Sequence, residues 1–261
     1  MQINCDGVVH NPLGGASYVF EKEFIPYILE TLHKNKLKIS VGAQPNSSPH
    51  FGTLETIVLA FALARKLEEY DSKKKVTILY EVIETAPSET VVIDGVKYQN
   101  SPEHGEYSVN VNEGISKLEY NSSLRNLIRG MSYTATNQSE NYDFEILRIT
   151  GSDYAGFYQE ELRYKVASYL GCKVSDMSMI FYAPLVLDWS GAKMSKSLYV
   201  KKGAYGDIPK RFINYSFLKE DLGFKGLDIL YDIVINWINN PYMLFRHYSI
   251  YYFIKEFEKY E

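Results

Sequence analysis

The sequence predicts an α/β protein: a doubly wound parallel sheet with an insertion near its middle and a short helical C-terminal segment. Two observations predict it. Short β-branched runs alternate with helical patterns on either side of residues 85–140, and three of those runs lead into polar, turn-forming loops. Ligands of such sheets bind at the carboxyl ends of the strands, so chemistry is expected at those three loops.

Taken in order, residues 18–34 place Phe20, Phe24, Tyr27, Ile28 and Leu32 at helical spacing, with Pro26 distorting or restarting the helix. Residues 36–41 are short and β-branched, and they run into Gly42-Ala43-Gln44-Pro45-Asn46-Ser47-Ser48-Pro49. A helix is expected over 50–70, with Leu54, Ile57, Val58, Phe61 and Ala64 on its buried side and its N-terminus facing that loop. After the charged linker 71–74, residues 75–83 read as a strand buried on both faces, which completes a βαβ unit.

The pattern then changes. Val91-Val92-Ile93, Asp94-Gly95 and Val96-Lys97-Tyr98 form a hairpin signal, Asp-Gly being suited to a type I′ turn. Residues 85–140 are read as an insertion, with a helix over 114–131. The alternation returns with a strand at 144–149, a helix over 154–170 and a strand over 178–187; from Pro209 onward the chain reads as helical and aromatic. The expected division is a catalytic unit over 1–205 and the helical segment over 206–261.

A formal net charge of −4 argues against a surface coated for nucleic acid, because phosphate binding needs clustered Lys and Arg. Cys5 and Cys172 are far apart and have no Cys or His at metal-ligand spacing, so neither a disulfide framework nor a zinc site is expected. No apolar run approaches the roughly 18 residues of a membrane span, and the expectation is a cytoplasmic chain without a membrane partner. The 23 tyrosines suit core and interface roles.

Three segments carry chemistry. The first is Pro45 to Leu54, where a strand feeds a helix. A helix N-terminus offers unpaired N–H groups and the positive end of the helix dipole, a setting for a triphosphate. His50 adds a hydrogen-bond donor for an α-phosphate oxygen, Gly52 admits a flat purine to the backbone, and Thr53 adds a hydroxyl. Gln44 and Ser48 are further polar candidates in this loop. The plainer reading is that Ser47 or Ser48 caps the helix, Pro49 starts it and His50 faces solvent.

The second is Gly151-Ser152-Asp153-Tyr154, after the strand at 144–149. Asp153 is either an N-cap or a carboxylate for ribose hydroxyls, with Gly151 letting the sugar approach. The third is Lys193-Met194-Ser195-Lys196-Ser197, beyond the strand that ends near Leu187. Lysines in a mobile loop can neutralise charge growing on a departing pyrophosphate, and the hydroxyls of Ser195 and Ser197 can hold phosphate oxygens. The plainer reading is a solvated basic loop.

These residues resemble the catalytic domain of class I aminoacyl-tRNA synthetases. Lys193-Met194-Ser195-Lys196-Ser197 matches the family's KMSKS motif letter for letter, a coincidence with odds on the order of one in ten thousand for a chain this long. His50-Phe51-Gly52-Thr53 is similar to its HIGH motif at His50 and Gly52, and Gly151-Ser152-Asp153 looks like its third nucleotide-binding segment. The resemblance covers roughly residues 36–205.

It implies a Rossmann-like core with a connective insertion, and attack by an amino-acid carboxylate on the α-phosphorus of ATP. The products are an aminoacyl-adenylate and pyrophosphate, with Mg²⁺ assisting and no metal held by protein side chains. His50, Lys193 and Lys196 would be the catalytic groups, the lysines on the leaving pyrophosphate. Thr53 would serve the α-phosphate, Gly52 the adenine and Asp153 the ribose, with Gln44, Ser48, Gly151, Met194, Ser195 and Ser197 completing the ATP site. Asn46, Tyr80 and Glu84 would line the amino-acid pocket, Glu84 either meeting a cationic substrate or closing a strand.

After Ser197 only 64 residues follow, too few for the large anticodon-binding domain of most such enzymes, so a stand-alone form is expected. The acceptor is then tRNA through its acceptor end, a small molecule or a protein. The C-terminal segment would brace the catalytic loop or form a homodimer contact. Two alternatives remain: a nucleotidyltransferase of the HxGH type, and a non-catalytic nucleotide- or RNA-binding descendant of a synthetase.

Overall fold

Four parallel strands frame the candidate site. The computed structural model describes residues 24–43, 48–82, 90–93, 96–99, 106–110, 115–119, 122–156, 164–173, 176–195 and 205–260. Helix α1 (Phe24–Thr31) buries Phe24 and Ile28 and contains Pro26 in its first described turn; the earlier part of the expected 18–34 helix lies outside the described residues. Strand β1 (Lys36–Ala43) extends two residues past its expected end and buries Leu37, Ile39, Val41 and Ala43 on one face.

Helix α2 (Phe51–Tyr70) follows, and its buried stripe differs from the expected one. Leu54, Val58 and Ala64 are buried as expected, together with Phe51, Glu55, Leu59, Ala60, Ala62, Leu63 and Leu67, while Phe61 is 53% exposed and Ile57 half-buried. The run 57–64 is apolar almost throughout, so periodicity within it does not fix the phase. Phe51, wholly buried at the first turn, does.

Glu55 is fully buried on α2, and its Oε1 has no hydrogen-bond partner. Burial pushes this carboxyl well above the usual range, the Thr56 hydroxyl opposing only in part. The folded chain therefore holds a proton that the unfolded chain loses near its ordinary pKa, and stability falls as pH rises from there toward the folded value. Glu55→Gln is expected to abolish this falling slope, leaving the variant more stable than the parent at pH 9 and near equal at pH 4. Thermal melting across pH checks this, and parallel curves for the two proteins would contradict it.

Strand β2 (Lys75–Val82) pairs in parallel with β1. It is an edge strand, with Thr77 and Tyr80 exposed, and not the doubly buried strand expected. Beyond it, β3 (Thr90–Ile93) and β4 (Val96–Gln99) pair antiparallel with Ile93 opposite Val96, the strand pairing expected of this hairpin; Asp94-Gly95 itself lies outside the described residues. A second hairpin joins β5 (Glu106–Asn110) and β6 (Ile115–Glu119). The helix expected over 114–131 instead begins later, as α3 (Ser122–Gln138). Asn121-Ser122-Ser123, a cluster of capping residues, is the local start signal.

Strand β7 (Phe144–Gly151) returns to β1, also in parallel. A 3-10 turn over Ser152–Tyr154 follows, and α4 (Tyr164–Leu170) is the described end of the expected 154–170 helix. The expected strand 178–187 is two pieces, β8 (Ile180–Ala183), paired with β7, and β9 (Val186–Leu187). Pro184, which has no N–H to donate, lies in the break.

The four-stranded parallel sheet has the order β2-β1-β7-β8. With helices packed on it, this is an α/β arrangement consistent with a Rossmann-like fold. No helix among the described residues is long and apolar enough to cross a membrane.

The C-terminal part is helical, as expected: α5 (Tyr215–Leu222), α6 (Lys225–Asn239), the short α7 (Pro241–Leu244) and α8 (Ile250–Glu258). It also contributes β10 (Tyr248–Ser249), parallel to β9. Trp237, Phe253 and Phe257 are wholly buried in the same hydrophobic cluster as Leu59 and Leu63 of α2 and Ile39 of β1. Full burial of each large apolar side chain contributes about 1.5–3 kcal/mol.

Candidate functional site

His50 caps helix α2. Its backbone is extended (φ −67°, ψ 161°), and its O accepts from Leu54 N at 2.9 Å. The Nδ1 accepts from Thr53 N at 3.4 Å, and Nε2 lies 2.9 Å from Thr53 Oγ1. With Nδ1 accepting, the neutral ring carries its proton on Nε2 and donates it to the Thr53 hydroxyl. The cap is thus His50, not Ser47 or Ser48, and its ring is turned to the helix rather than to solvent.

Ser48 is used elsewhere: its Oγ accepts from Ser216 N at 2.9 Å. The C-terminal segment grips this entry through two more hydrogen bonds: Phe51 N donates to Ile213 O (3.1 Å) and Tyr215 N donates to Pro49 O (3.0 Å), the pair that makes the antiparallel bridge of His50 with Asn214. Phe51 is ringed edge-on by Phe212, Phe253 and Phe257 at centroid distances of 5.4, 5.1 and 6.1 Å. Among the described residues this segment braces the His50 entry and, through β10, the strand β9 that leads to Lys193.

Gly52 has a local reason to lack a side chain. A Cβ there would sit 3.3 Å from His50 Cε1 and 3.6 Å from Val186 Cβ, so the histidine ring itself occupies the approach. Gly151 works similarly: its Cβ would lie 2.5 Å from Asp153 Oδ1, so the bare backbone leaves room for the carboxylate to fold back over the strand end.

Asp153 Oδ2 accepts from Lys193 Nζ at 2.5 Å, the pair remaining partly open to solvent with side chains 30% and 40% exposed. Lys193 Nζ also lies 5.8 Å from the ring centre of Tyr154. Asp153 is the middle residue of the 3-10 turn Ser152–Tyr154, whose N-cap position is Gly151, so it does not cap that turn.

The loop that carries Lys193 is anchored at this end. Asp188, buried, accepts through Oδ1 from Ser190 N (2.8 Å), Ser190 Oγ (2.7 Å) and Ala192 N (3.2 Å). Its own N–H donates to Ala192 O at 2.8 Å, and Gly191 adopts a φ of +81° that closes the turn. Leu187 bridges Lys193, and Met194 N donates to Val186 O at 2.9 Å. The Met194 side chain, expected at the nucleotide, is committed to the hydrophobic core. Ser195 N donates to Tyr205 Oη at 3.3 Å.

Electrostatics tie the three segments together. Burial, then the Lys193 charge, lower the His50 pKa to about 4 against an opposing pull from Asp153. At neutral pH His50 is an uncharged donor, and the positive charge beside it belongs to Lys193.

His50, Gly52, Thr53, Gly151, Asp153 and Lys193 are thereby brought to one place at the ends of β1, β7 and β9. Tyr80 lies two residues before the end of edge strand β2, 49% exposed and in register with Val41. Gln44, Asn46, Glu84, Lys196 and Ser197 lie outside the described residues. Among the described residues no group of three or more His, Cys, Asp or Glu side chains is placed to hold a metal ion.

One polar cluster had no sequence signal. Glu81 of β2 accepts from Arg148 Nη1 (2.7 Å) and Arg129 Nε (3.0 Å), and from Ser40 Oγ and the Tyr133 hydroxyl, between the sheet and α3. Burial pushes Glu81 up, but Arg148 and Arg129 outweigh it and hold the carboxyl below its usual range. Burial, then the Glu81 charge, raise Tyr133 to about 12. These residues come from four elements, and only the folded register of β1, β2 and β7 brings them together.

No protein-family model matches the chain, and no curated protein matches it significantly.

Proposed function

We propose that this chain is an ATP-dependent ligase that joins a small carboxylic acid, an amino acid, to AMP as an aminoacyl-adenylate and releases pyrophosphate. The resemblance to the catalytic domain of class I aminoacyl-tRNA synthetases supports this reading. The observation that carries it is the meeting of His50–Thr53, Gly151–Asp153 and Lys193 at three strand ends, with Lys193 in contact with Asp153.

In this reading Mg²⁺ arrives with ATP as its counter-ion, and no step is routed through a protein-held metal. The helix α2 N-terminus and the His50–Thr53 relay donate hydrogen bonds to the α-phosphate. Asp153 accepts from a ribose hydroxyl, exchanging its Lys193 partner for the sugar. Lys193, released, joins Lys196 on the departing pyrophosphate. The substrate carboxylate oxygen attacks the α-phosphorus, the bond to the β-phosphate oxygen breaks, and the acyl group later passes to an acceptor with loss of AMP. Positioning and fixed charge supply the acceleration, and no covalent protein nucleophile takes part.

ATP–pyrophosphate exchange, screened with each standard amino acid, tests the proposal. One amino acid, or a small related set, is expected to drive exchange. Exchange with none of them would count against amino-acid activation, and nucleotide transfer to a phosphorylated small molecule without exchange would favour the nucleotidyltransferase reading.

A further inference from the structure

Trp189 is the most exposed large apolar side chain among the described residues, 72% open at the tip of the turn that carries Lys193. At this exposure most of the indole surface is open to a ligand. The turn is also rigid: three hydrogen bonds to Asp188 Oδ1, two backbone bonds and the left-handed Gly191 fix its path. The main chain that carries Trp189 is therefore fixed, which limits the backbone entropy lost on binding.

Its surroundings define the partner. Trp189 precedes Lys193 by four positions, so their Cα atoms lie no more than about 14 Å apart, within reach of one extended nucleoside triphosphate. Lys193 supplies a cation for phosphate, Asp153 a carboxylate for ribose hydroxyls, and Tyr154, 44% exposed, a second ring beside the lysine. A base still needs a flat face.

We propose that Trp189 is the stacking platform for the purine base of the nucleotide, positioned by the Asp188 turn so that base, ribose and phosphates meet Trp189, Asp153 and Lys193 in order. The proposal rests on the ATP-dependent reading above and names the residue that selects a base-bearing nucleotide over bare polyphosphate.

The chain contains two tryptophans, and the other, Trp237, is wholly buried, so long-wavelength indole emission reports Trp189. Titration with Mg·ATP is expected to quench that emission. By calorimetry, Trp189→Ala is expected to weaken Mg·ATP binding about 5- to 100-fold, the scale of one base–aromatic stack. Trp189→Phe should keep affinity within about threefold of the parent, and binding of inorganic tripolyphosphate should be unchanged in both variants.

Mg·ATP that binds by calorimetry without quenching, or with equal affinity in Trp189→Ala, overturns the platform while the ATP-dependent reading stands. Absence of Mg·ATP binding to the parent chain overturns both. Quenching by a short RNA ending in an unpaired adenosine, with none by Mg·ATP, likewise overturns the mononucleotide assignment.

Discussion

Lys193→Ala is expected to lower the rate of adenylate formation by about 100-fold or more, the scale on which loss of one preorganised charge-stabilising group acts. The lysine is held by the Leu187 bridge and by the buried Met194 that follows, so its ammonium is presented from a fixed base. Its contact with Asp153 is partly open to solvent, and surface pairs of this kind contribute little to stability. Melting of the variant should therefore match the parent. A second readout separates a local charge effect from a general disturbance: Lys193 lowers the His50 pKa, so its removal should move the His50 titration upward from about 4. Unchanged activity, or a lowered His50 pKa, would mean that the lysine does not face the reacting phosphates. Lys196→Ala is expected to give a loss of similar size by the same physics.

Phe51→Ala is expected to have the largest effect on stability, about 3–5 kcal/mol, as for other fully buried aromatic truncations. Phe51 follows His50 directly, packs against three phenylalanines of the C-terminal segment and donates its backbone N–H to Ile213. Removing the ring opens a cavity at the joint between the two, and the thermal midpoint should fall by roughly 2–4 °C for each kcal/mol lost. Hydrogen exchange should show faster opening of α2's first turn and of α5 together, because one set of contacts holds both. A loss below about 1 kcal/mol, or opening confined to one of them, would contradict the brace.

The sequence carried the parts of this fold that local chemistry decides. Asp94-Gly95 gave the hairpin register because few residues adopt that turn, and the β1 and β7 strands were legible as β-branched runs ending in turn formers. The phase of α2 was not legible, because an almost continuously apolar run fits more than one stripe. The exposure of β2 was hidden too: a strand's place at a sheet edge depends on which strands pair, and the order β2-β1-β7-β8 is a non-local outcome.

The candidate site divides in the same way. His50, Asp153 and Lys193 were legible because each sits at a strand end in a short motif. The capping role of His50 was not, since caps are ordinarily Ser, Thr, Asp or Asn, and here Ser48 is diverted to Ser216. The grip of Asn214, Ile213 and Tyr215 on that entry joins residues more than 160 positions apart, which no periodicity records. The Glu81 cluster is likewise a product of register.

The most direct measurement of the central claim follows the bond that forms. Once pyrophosphate exchange has identified the acid, that acid is supplied with both carboxylate oxygens as ¹⁸O, together with Mg·ATP and hydroxylamine as acyl acceptor, and the AMP released is weighed by mass spectrometry. Attack of the carboxylate on the α-phosphorus, followed by acyl transfer, leaves one labelled oxygen on AMP. The account predicts AMP heavier by one ¹⁸O, with pyrophosphate and the hydroxamate formed alongside; unlabelled AMP, or ADP in place of AMP, would contradict it.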